Sequence, residues 1–470
     1  MFTSRFILKV VKVVFTLCAA GILVVKIHRS QLSSTLLEPG GTTAPSQAGL
    51  QAFPSALRQT GANDITLANI GIAAHRPSQS GSTLVLFNQS ARDNRIDYGY
   101  SALVAPSVDD IRRIVEDNNL NAEIFNEDKF GPASKASYVV VVQVHNRLRY
   151  LEKLVQSLEL NPLINWVLLI FSHDYFSVEL NQFVRSIKFC RVMQIFYPNS
   201  IQLSPASFPG RSPTDCAATM SVSQARAANC QIWQSPDRYG HYRNADLAQI
   251  KHHWWWKVNY VFDGIPSLRQ YDGWVVFLEE DHYVSPDFLY SFNYFVEQLL
   301  SVCRSCHLIT LGTYLRFQKG QVRWDEYAIL PWFSSYHNMG MAFNRSTWDQ
   351  IRQCAPTFCK YDDYNWDWSL LQVSNKCMKK RLTTLMLNGP RVFHIGDCGV
   401  HHKGKICTAD SSADAVVVKL KSLQSQLFPK TFKQSPTGVV RRLPKQPKEN
   451  GGWGDPRDHD LCLNSTFARS

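Results

Sequence analysis

The chain carries no zinc-finger, RNP or basic-helix pattern and no internal repeat. The usual grounds for a nucleic-acid partner or a solenoid are therefore missing. Acid is absent from one long stretch: Lys419 to Lys448 holds eight Lys or Arg and neither Asp nor Glu, a large part of the formal charge of +12. Such a balance suits a membrane surface or a phosphate-bearing substrate, and equally a solvated tail. Charged residues make up only 19% of the 470, against 45% apolar and 12% aromatic. Wholesale disorder is excluded on that composition, and a sizeable core is available.

The start of the chain says more. Val13 to Val25 is an uninterrupted apolar or small run, and extended back to Phe6 it reaches bilayer-spanning length if Lys9 and Lys12 snorkel. Basic residues ahead of it favour a cytoplasmic N-terminus. A cleaved signal peptide is the alternative, and either one sends the remainder into the secretory lumen. We expect a tail over 1–5, a signal-anchor over 6–25, a stem over 26–106 and a catalytic domain over 107–470. Eleven cysteines follow Cys18, and an oxidising lumen should pair most of them, leaving one over. Sequons at Asn88, Asn344 and Asn464 agree with a luminal chain.

Residues 30–94 read as a linker rich in Ser, Thr, Ala, Gly, Gln and Pro. From about Ser107 strands alternate with helices. Strands are expected over Tyr138–Asn146, Asn165–Asp174, Val192–Pro198 and from Trp274, and again at "HLITLGTY". Helices are expected after Asn146, over Asp246–Phe262 and over Pro286–Val302. The fold class is then α/β with a mostly parallel sheet flanked by helices. Ligands collect beyond the carboxyl ends of such strands, where Gln143–Arg147, Ser172–Asp174 and Glu279–His282 all fall.

Glu279-Glu280-Asp281-His282 follows the apolar strand directly. Adjacent carboxylates that lose hydration are tolerable if a cation sits among them. Strand alternation sends Glu279 and Asp281 one way and Glu280 the other. A solvated acidic turn is the bland alternative. Tyr361 to Trp368, "YDDYNWDW", interleaves three aspartates with aromatic rings. It suits a sugar or nucleoside site, or simply a helix start with Asp362 or Asp363 as cap and the tryptophans as core. In "RVFHIGDCGVHHKGKIC", Cys398 and Cys407 read as a disulfide rather than as zinc ligands, and His394 could complete a metal shell around Asp281. Cys303 and Cys306 read as a structural disulfide.

Eight stretches taken together resemble the N-acetylglucosaminyltransferase II family: "VVVVQVHNRLRYLEKLVQSL", "IFYPNSIQLSPASFPG", "GHYRNADLAQIKHHWWWK", "FLEEDHYVSPDF", "HNMGMAF", "TFCKYDDYNWDW", "FHIGDCGVHHK" and "NGGWGDPRDHDLC". They span roughly Asp110 to Cys462. The resemblance implies a GT-A fold, a type II Golgi membrane protein, and inverting β-1,2 transfer of GlcNAc from UDP-GlcNAc to the α-1,6-linked mannose of an N-glycan on a glycoprotein. A relative acting on another mannose acceptor, or an inactive one, are the alternatives. It implies Mn²⁺ ligation by Asp281 and His394, and Asp367 as general base. It also implies nucleotide or sugar contacts from Gln143, Val144, His145, Asn146, Arg147, Asp174, Gln249, Ile250, Lys251, His252 and His253, with Asn338 and Trp366 shaping the pocket. Its disulfides would be Cys216–Cys230, Cys303–Cys306, Cys354–Cys377, Cys359–Cys462 and Cys398–Cys407, leaving Cys190 free. The loop Ala217 to Asn229 departs from the family where acceptor contacts are expected.

Overall fold

Four consecutive valines, Val139 to Val142, sit at the centre of the molecule with no exposed surface. A strand apolar on both sides belongs in the middle of a sheet covered on both faces. The computed structural model describes residues 106–314, 322–396, 408–435 and 448–467. The expected tail and anchor lie outside these residues, as does the stem apart from Pro106, and so do Cys398, Cys407, His401 and His402. Among the described residues no helix is long and apolar enough to cross a membrane.

The described strands are β1 (Ile124–Phe125), β2 (Tyr138–Val144), β3 (Val167–His173), β4 (Arg191–Phe196), β5 (Trp274–Glu279), β6 (His282–Val284), β7 (Leu308–Thr310), β8 (Glu326–Pro331), β9 (Met341–Asn344), β10 (Thr383–Leu387), β11 (Val392–His394) and β12 (Lys433–Gln434). Ten form one sheet in the order β1-β4-β3-β2-β5-β9-β7-β10-β8-β12, and β11 pairs with β6 separately. The quartet β4-β3-β2-β5 is parallel throughout. Beyond β5 the sheet is mixed, because β9 runs antiparallel to both β5 and β7. The protein is thus α/β, with a mixed sheet whose longest parallel run is β4-β3-β2-β5; β7–β10 and β8–β12 are also parallel, while β1–β4 and β8–β10 are antiparallel.

Period-two alternation divides the core. Val139, Val141, Ile170 and Phe277 face the helix Ala245–Asn259, whose Trp254, Trp255 and Trp256 are all buried. Val140, Val142, Leu169 and Val276 face the helices Leu148–Glu159 and Phe288–Val302. Helix Leu148–Glu159 presents Leu151, Leu154, Val155 and Leu158 at helical spacing. Helix Ala245–Asn259 is buried nearly all round, and Asn244 caps it by accepting from the amides of Asp246 and Leu247.

Four of the five expected disulfides are present: Cys216–Cys230, Cys303–Cys306, Cys354–Cys377 and Cys359–Cys462. Cys190 is free and buried. Cys359–Cys462 spans 103 residues and fastens the C-terminal helix Pro456–Asn464 to the helix Ala355–Lys360. Cys462→Ser should cost about 2–5 kcal/mol, read as a lower midpoint in denaturant unfolding. An unchanged midpoint would show that the link adds nothing to stability.

Candidate active site

β3, β2 and β5 lie side by side, with Gln143 opposite Ser172 on one flank and Glu279 on the other. The three expected clusters therefore emerge at one edge of the sheet. Immediately beyond it the Glu280 amide donates to the Gln143 carbonyl (2.9 Å). The Glu280 carboxylate accepts from the amides of His145 (2.8 Å) and Arg147 (3.3 Å) and from Arg147 Nε (2.6 Å). Arg147 Nη1 reaches on to Asp281 Oδ2 (2.9 Å). A buried carboxylate needs such pairing. Burial raises Glu280, and Arg147 offsets part of that.

Glu279 and Asp281 share a side as alternation requires, while Glu280 turns to Arg147. Pairing of β11 with β6 sets His394 opposite His282, and its Nε2 lies 3.1 Å from Asp281 Oδ2. Burial by itself would raise the Asp281 carboxyl, but the His394 hydrogen bond and the Arg147 charge hold it below the ordinary range. Arg147 and His394 thus both engage Oδ2. Asp281 Oδ1 is buried and has no hydrogen-bond partner among the described residues. Glu279, Asp281 and His282 offer ligand atoms within 4.8 Å of one another. Burial keeps the His282 ring neutral, down to about 3, but it is the poorer ligand, since its Nδ1 lone pair already accepts from the Glu279 amide (3.1 Å) and the proton then sits on Nε2. Carboxylate oxygens with one imidazole suit Mn²⁺, and an orphaned buried carboxylate oxygen is a group such an ion satisfies.

Gly396 closes over this carboxylate. A Cβ there would overlap Asp281 Oδ2. If the site holds the expected Mn²⁺ and UDP, Gly396→Ala should weaken their binding by roughly 10–100-fold, the usual effect of disturbing a ligand's supports. Titration of UDP with and without the metal measures it, and equal affinity would show that the carboxylate need not stay where it is.

On the β3 side, Asp174 Oδ1 meets His145 Nδ1 (2.6 Å) and Oδ2 accepts from Gln249 Nε2 (3.1 Å), with His253 Nδ1 at 3.5 Å. His253 Nε2 meets Ser172 Oγ (2.8 Å). Burial opposes the Asp174 charge, and His145 and His253 outweigh it, holding this carboxyl low. His145 is half exposed beside the ring of Tyr175 (5.9 Å), and Asn146 is exposed at the rim. Val144 contributes backbone only: its side chain is core and its carbonyl accepts from the Asp174 amide (3.2 Å).

Three of the five residues expected from helix Ala245–Asn259 turn elsewhere, as helical geometry requires. Ile250 packs on the core. His252 Nε2 meets Asp458 Oδ1 (2.9 Å). Lys251 donates to the carbonyls of Tyr361 (3.0 Å) and Asp363 (2.9 Å), and burial pushes its amine down to about 7 despite acidic neighbours.

Asp367 opens the helix Trp366–Lys376. Its Oδ2 accepts from Asn338 Nδ2 and its Oδ1 from the Trp368 amide, both at 3.0 Å. Burial first, then the charges of Asp363 and Glu279, push this carboxyl up to about 7. Trp366, expected to shape the pocket, instead stacks on Trp254 (4.5 Å between centroids) and is core. Neither Asp362 nor Asp363 caps the helix: that position is Asn365, and the two aspartates bind the amides of Trp453 and Asn450.

Residues 112–462 match the family model of N-acetylglucosaminyltransferase II (MGAT2). The chain belongs to that family. Relatives in Rattus norvegicus and Homo sapiens are each 40% identical, over 368 and 365 residues, covering 77% of this chain and 82% and 81% of theirs. An Arabidopsis thaliana relative is 33% identical over 347 residues, covering 72% and 77%. All three are named alpha-1,6-mannosyl-glycoprotein 2-beta-N-acetylglucosaminyltransferase. The crystal structure of S. aureus TarS 1-349 in complex with UDP-GlcNAc is 11% identical with a TM-score of 0.27, covering 58% of this chain and 61% of that one, a likeness too slight to bear on function. The N-acetylglucosaminyltransferase II match encloses every site residue from Gln143 to His394.

Three site residues escaped sequence reasoning. Lys257 Nζ donates to Gln143 Oε1 (2.7 Å), and its charge offsets part of the rise that burial and Asp281 impose on Glu279. Tyr314 is partly exposed, its ring 6.2 Å from that of His394. Desolvation and then the charges of Glu279, Asp281 and Asp367 push its hydroxyl up, so the phenol lies within electrostatic reach of all three carboxylates. Gly396 is the third. Only Lys257 left a trace, as the charge that follows three tryptophans in "KHHWWWK".

Proposed function

We propose that this chain transfers GlcNAc from UDP-GlcNAc, in β-1,2 linkage and with inversion, to the α-1,6-linked mannose of an N-glycan, on a GT-A-type fold in the Golgi lumen. A signal-anchor over residues 6–25 would hold it to the membrane. Family membership supports the activity. Four formed disulfides support an oxidising compartment. The observation that carries the mechanism is a buried carboxyl poised near neutrality, Asp367, within electrostatic reach of the acidic end of β5.

Asp281 Oδ1, Glu279 and His394 would hold Mn²⁺, which supplies counter-charge to the diphosphate when bound. Asp174, fixed by His145, Gln249 and His253, is placed to accept hydrogen bonds from the ribose hydroxyls. Asp367 takes the proton from the mannose 2-hydroxyl. That oxygen attacks the anomeric carbon on the face opposite UDP, the carbon–oxygen bond to the diphosphate breaks, and UDP leaves with the electron pair. One displacement inverts the centre. Asn338 and the Trp368 amide keep the Asp367 carboxylate aimed through both steps.

Asp367 must be ionised to act, and its pKa stands at about 7. Turnover should therefore climb with pH and level off above about 7. A profile already flat from pH 5 would remove Asp367 from the role. The activity itself is tested with UDP-GlcNAc and Mn²⁺ on mannose acceptors with a free α-1,6 arm or a blocked one. Product only on the free arm is expected, and no product on any mannose acceptor would overturn the reading.

A further inference from the structure

Helix Ala245–Asn259 carries a fully buried lysine that this chemistry does not use. Lys251 Nζ sits between two backbone carbonyls, those of Tyr361 and Asp363, and 4.0 Å over the ring of Trp453. The carbonyls belong to the turn just before the helix that bears Asp367. That helix has no side-chain hydrogen bond from its N-cap, Asn365, so the turn ahead of it must set where its first residues lie. Asp363 pulls on the turn from two sides: Oδ1 accepts from the Asn365 amide and Oδ2 from the Asn450 amide, each at 2.9 Å. Trp254, on the same helix as Lys251, stacks on Trp366 next to the base.

Burying an ammonium is costly, and a neutral donor could satisfy a carbonyl. The Lys251 amine donates to two carbonyls at once, which ties the turn to the helix in either charge state. The helix also holds Asp174 through Gln249 and His253, so the nucleotide side and the base side are both set by one rigid element.

We infer that Lys251 is a positioning residue for Asp367: it fixes the Tyr361–Asp363 turn, and through it the distance from the base to the reacting mannose hydroxyl. This rests on Asp367 as the base. Misplacement by about 1 Å is enough to cost on the order of 10²-fold in rate.

The test compares Lys251→Met, Asp367→Asn and the double variant in the full chain. In Lys251→Met, kcat should fall by about 10²-fold, while KM for UDP-GlcNAc and Mn²⁺-dependent UDP affinity stay within about twofold. The rising limb of its kcat–pH profile should shift below that of the wild type, because a loosened turn lets water reach the Asp367 carboxyl. In the Asp367→Asn background the same change should cost less than about threefold, since the two act through one group. Lys251→Arg keeps a buried cation and serves if the methionine variant fails to fold. Its rigid fork cannot reproduce both contacts, so partial loss with the same non-additivity is expected. Full kcat in folded Lys251 variants overturns the inference, as do losses that multiply in the double variant. If Asp367→Asn alone leaves turnover intact, the base assignment fails first. If Asp367→Asn is crippled and the Lys251 variants are not, only the positioning role fails.

Discussion

Asp367→Asn should lower turnover by about 10²–10⁴-fold and yet raise thermal stability. The first effect follows from losing the proton acceptor; UDP binding, which the proposed mechanism assigns to Asp174 and the β5 carboxylates, should hardly change. The second follows from burial. The wild-type carboxyl is shifted from 3.8 to about 7 in the folded protein. A raised acid pKa means that the folded state favours the protonated form. That preference adds stability in full below about 3.8 and is lost as pH rises through about 7. Above about 7 the wild type carries a buried charge that the variant lacks, so the gain in Tm should appear near pH 8 and vanish near pH 4. Asn338 can turn its amide to meet the new carboxamide, since its Oδ1 is buried without a partner among the described residues. A variant that loses activity and stability together would point to a structural residue, and the opposite signs mark a catalytic one.

On the proposed mechanism, Asp281→Ala should weaken Mn²⁺-dependent UDP binding on the order of 10²-fold or more, a change visible by calorimetry or as loss of the Tm increase expected of the wild type with Mn²⁺ and UDP together. The effect exceeds that of Gly396→Ala because the ligand goes rather than its support. Arg147 would retain Glu280 as partner, at 2.6 Å, so the fold should survive. His394 would lose the carboxylate that raises its pKa against the effect of burial, and its titration should move to lower pH. Tight metal-dependent binding in Asp281→Ala would contradict the assignment of the site.

The parallel half of the sheet was legible because long apolar runs such as Val139–Val142 have one sensible place in an α/β protein. The strand-end clusters then followed from topology alone. Of the mixed half only β7, inside "HLITLGTY", was legible: β9 is four residues long, too short for a period, and nothing in "HNMGMAF" says that its strand runs backwards between two others. For helix Ala245–Asn259 the segment was clear but its faces were not, since His, Trp and Lys bury on every side and no polar stripe marks the solvent. Hence the sequence could not say that Gln249 and His253 turn toward Asp174 while Lys251 and His252 turn away from it. Gly396 and Tyr314 act through distances across β6 and β11, which no local spacing reveals.

The base turn is completed from far along the chain. Asp362 and Asp363 bind the amides of Trp453 and Asn450, and Trp453 lies over Lys251. During synthesis, Asp367 therefore cannot settle until residues 449–453 have left the ribosome. A nonsense codon at 449 would spare every strand described here and still leave the turn ahead of Asp367 without the amides that its two aspartates bind.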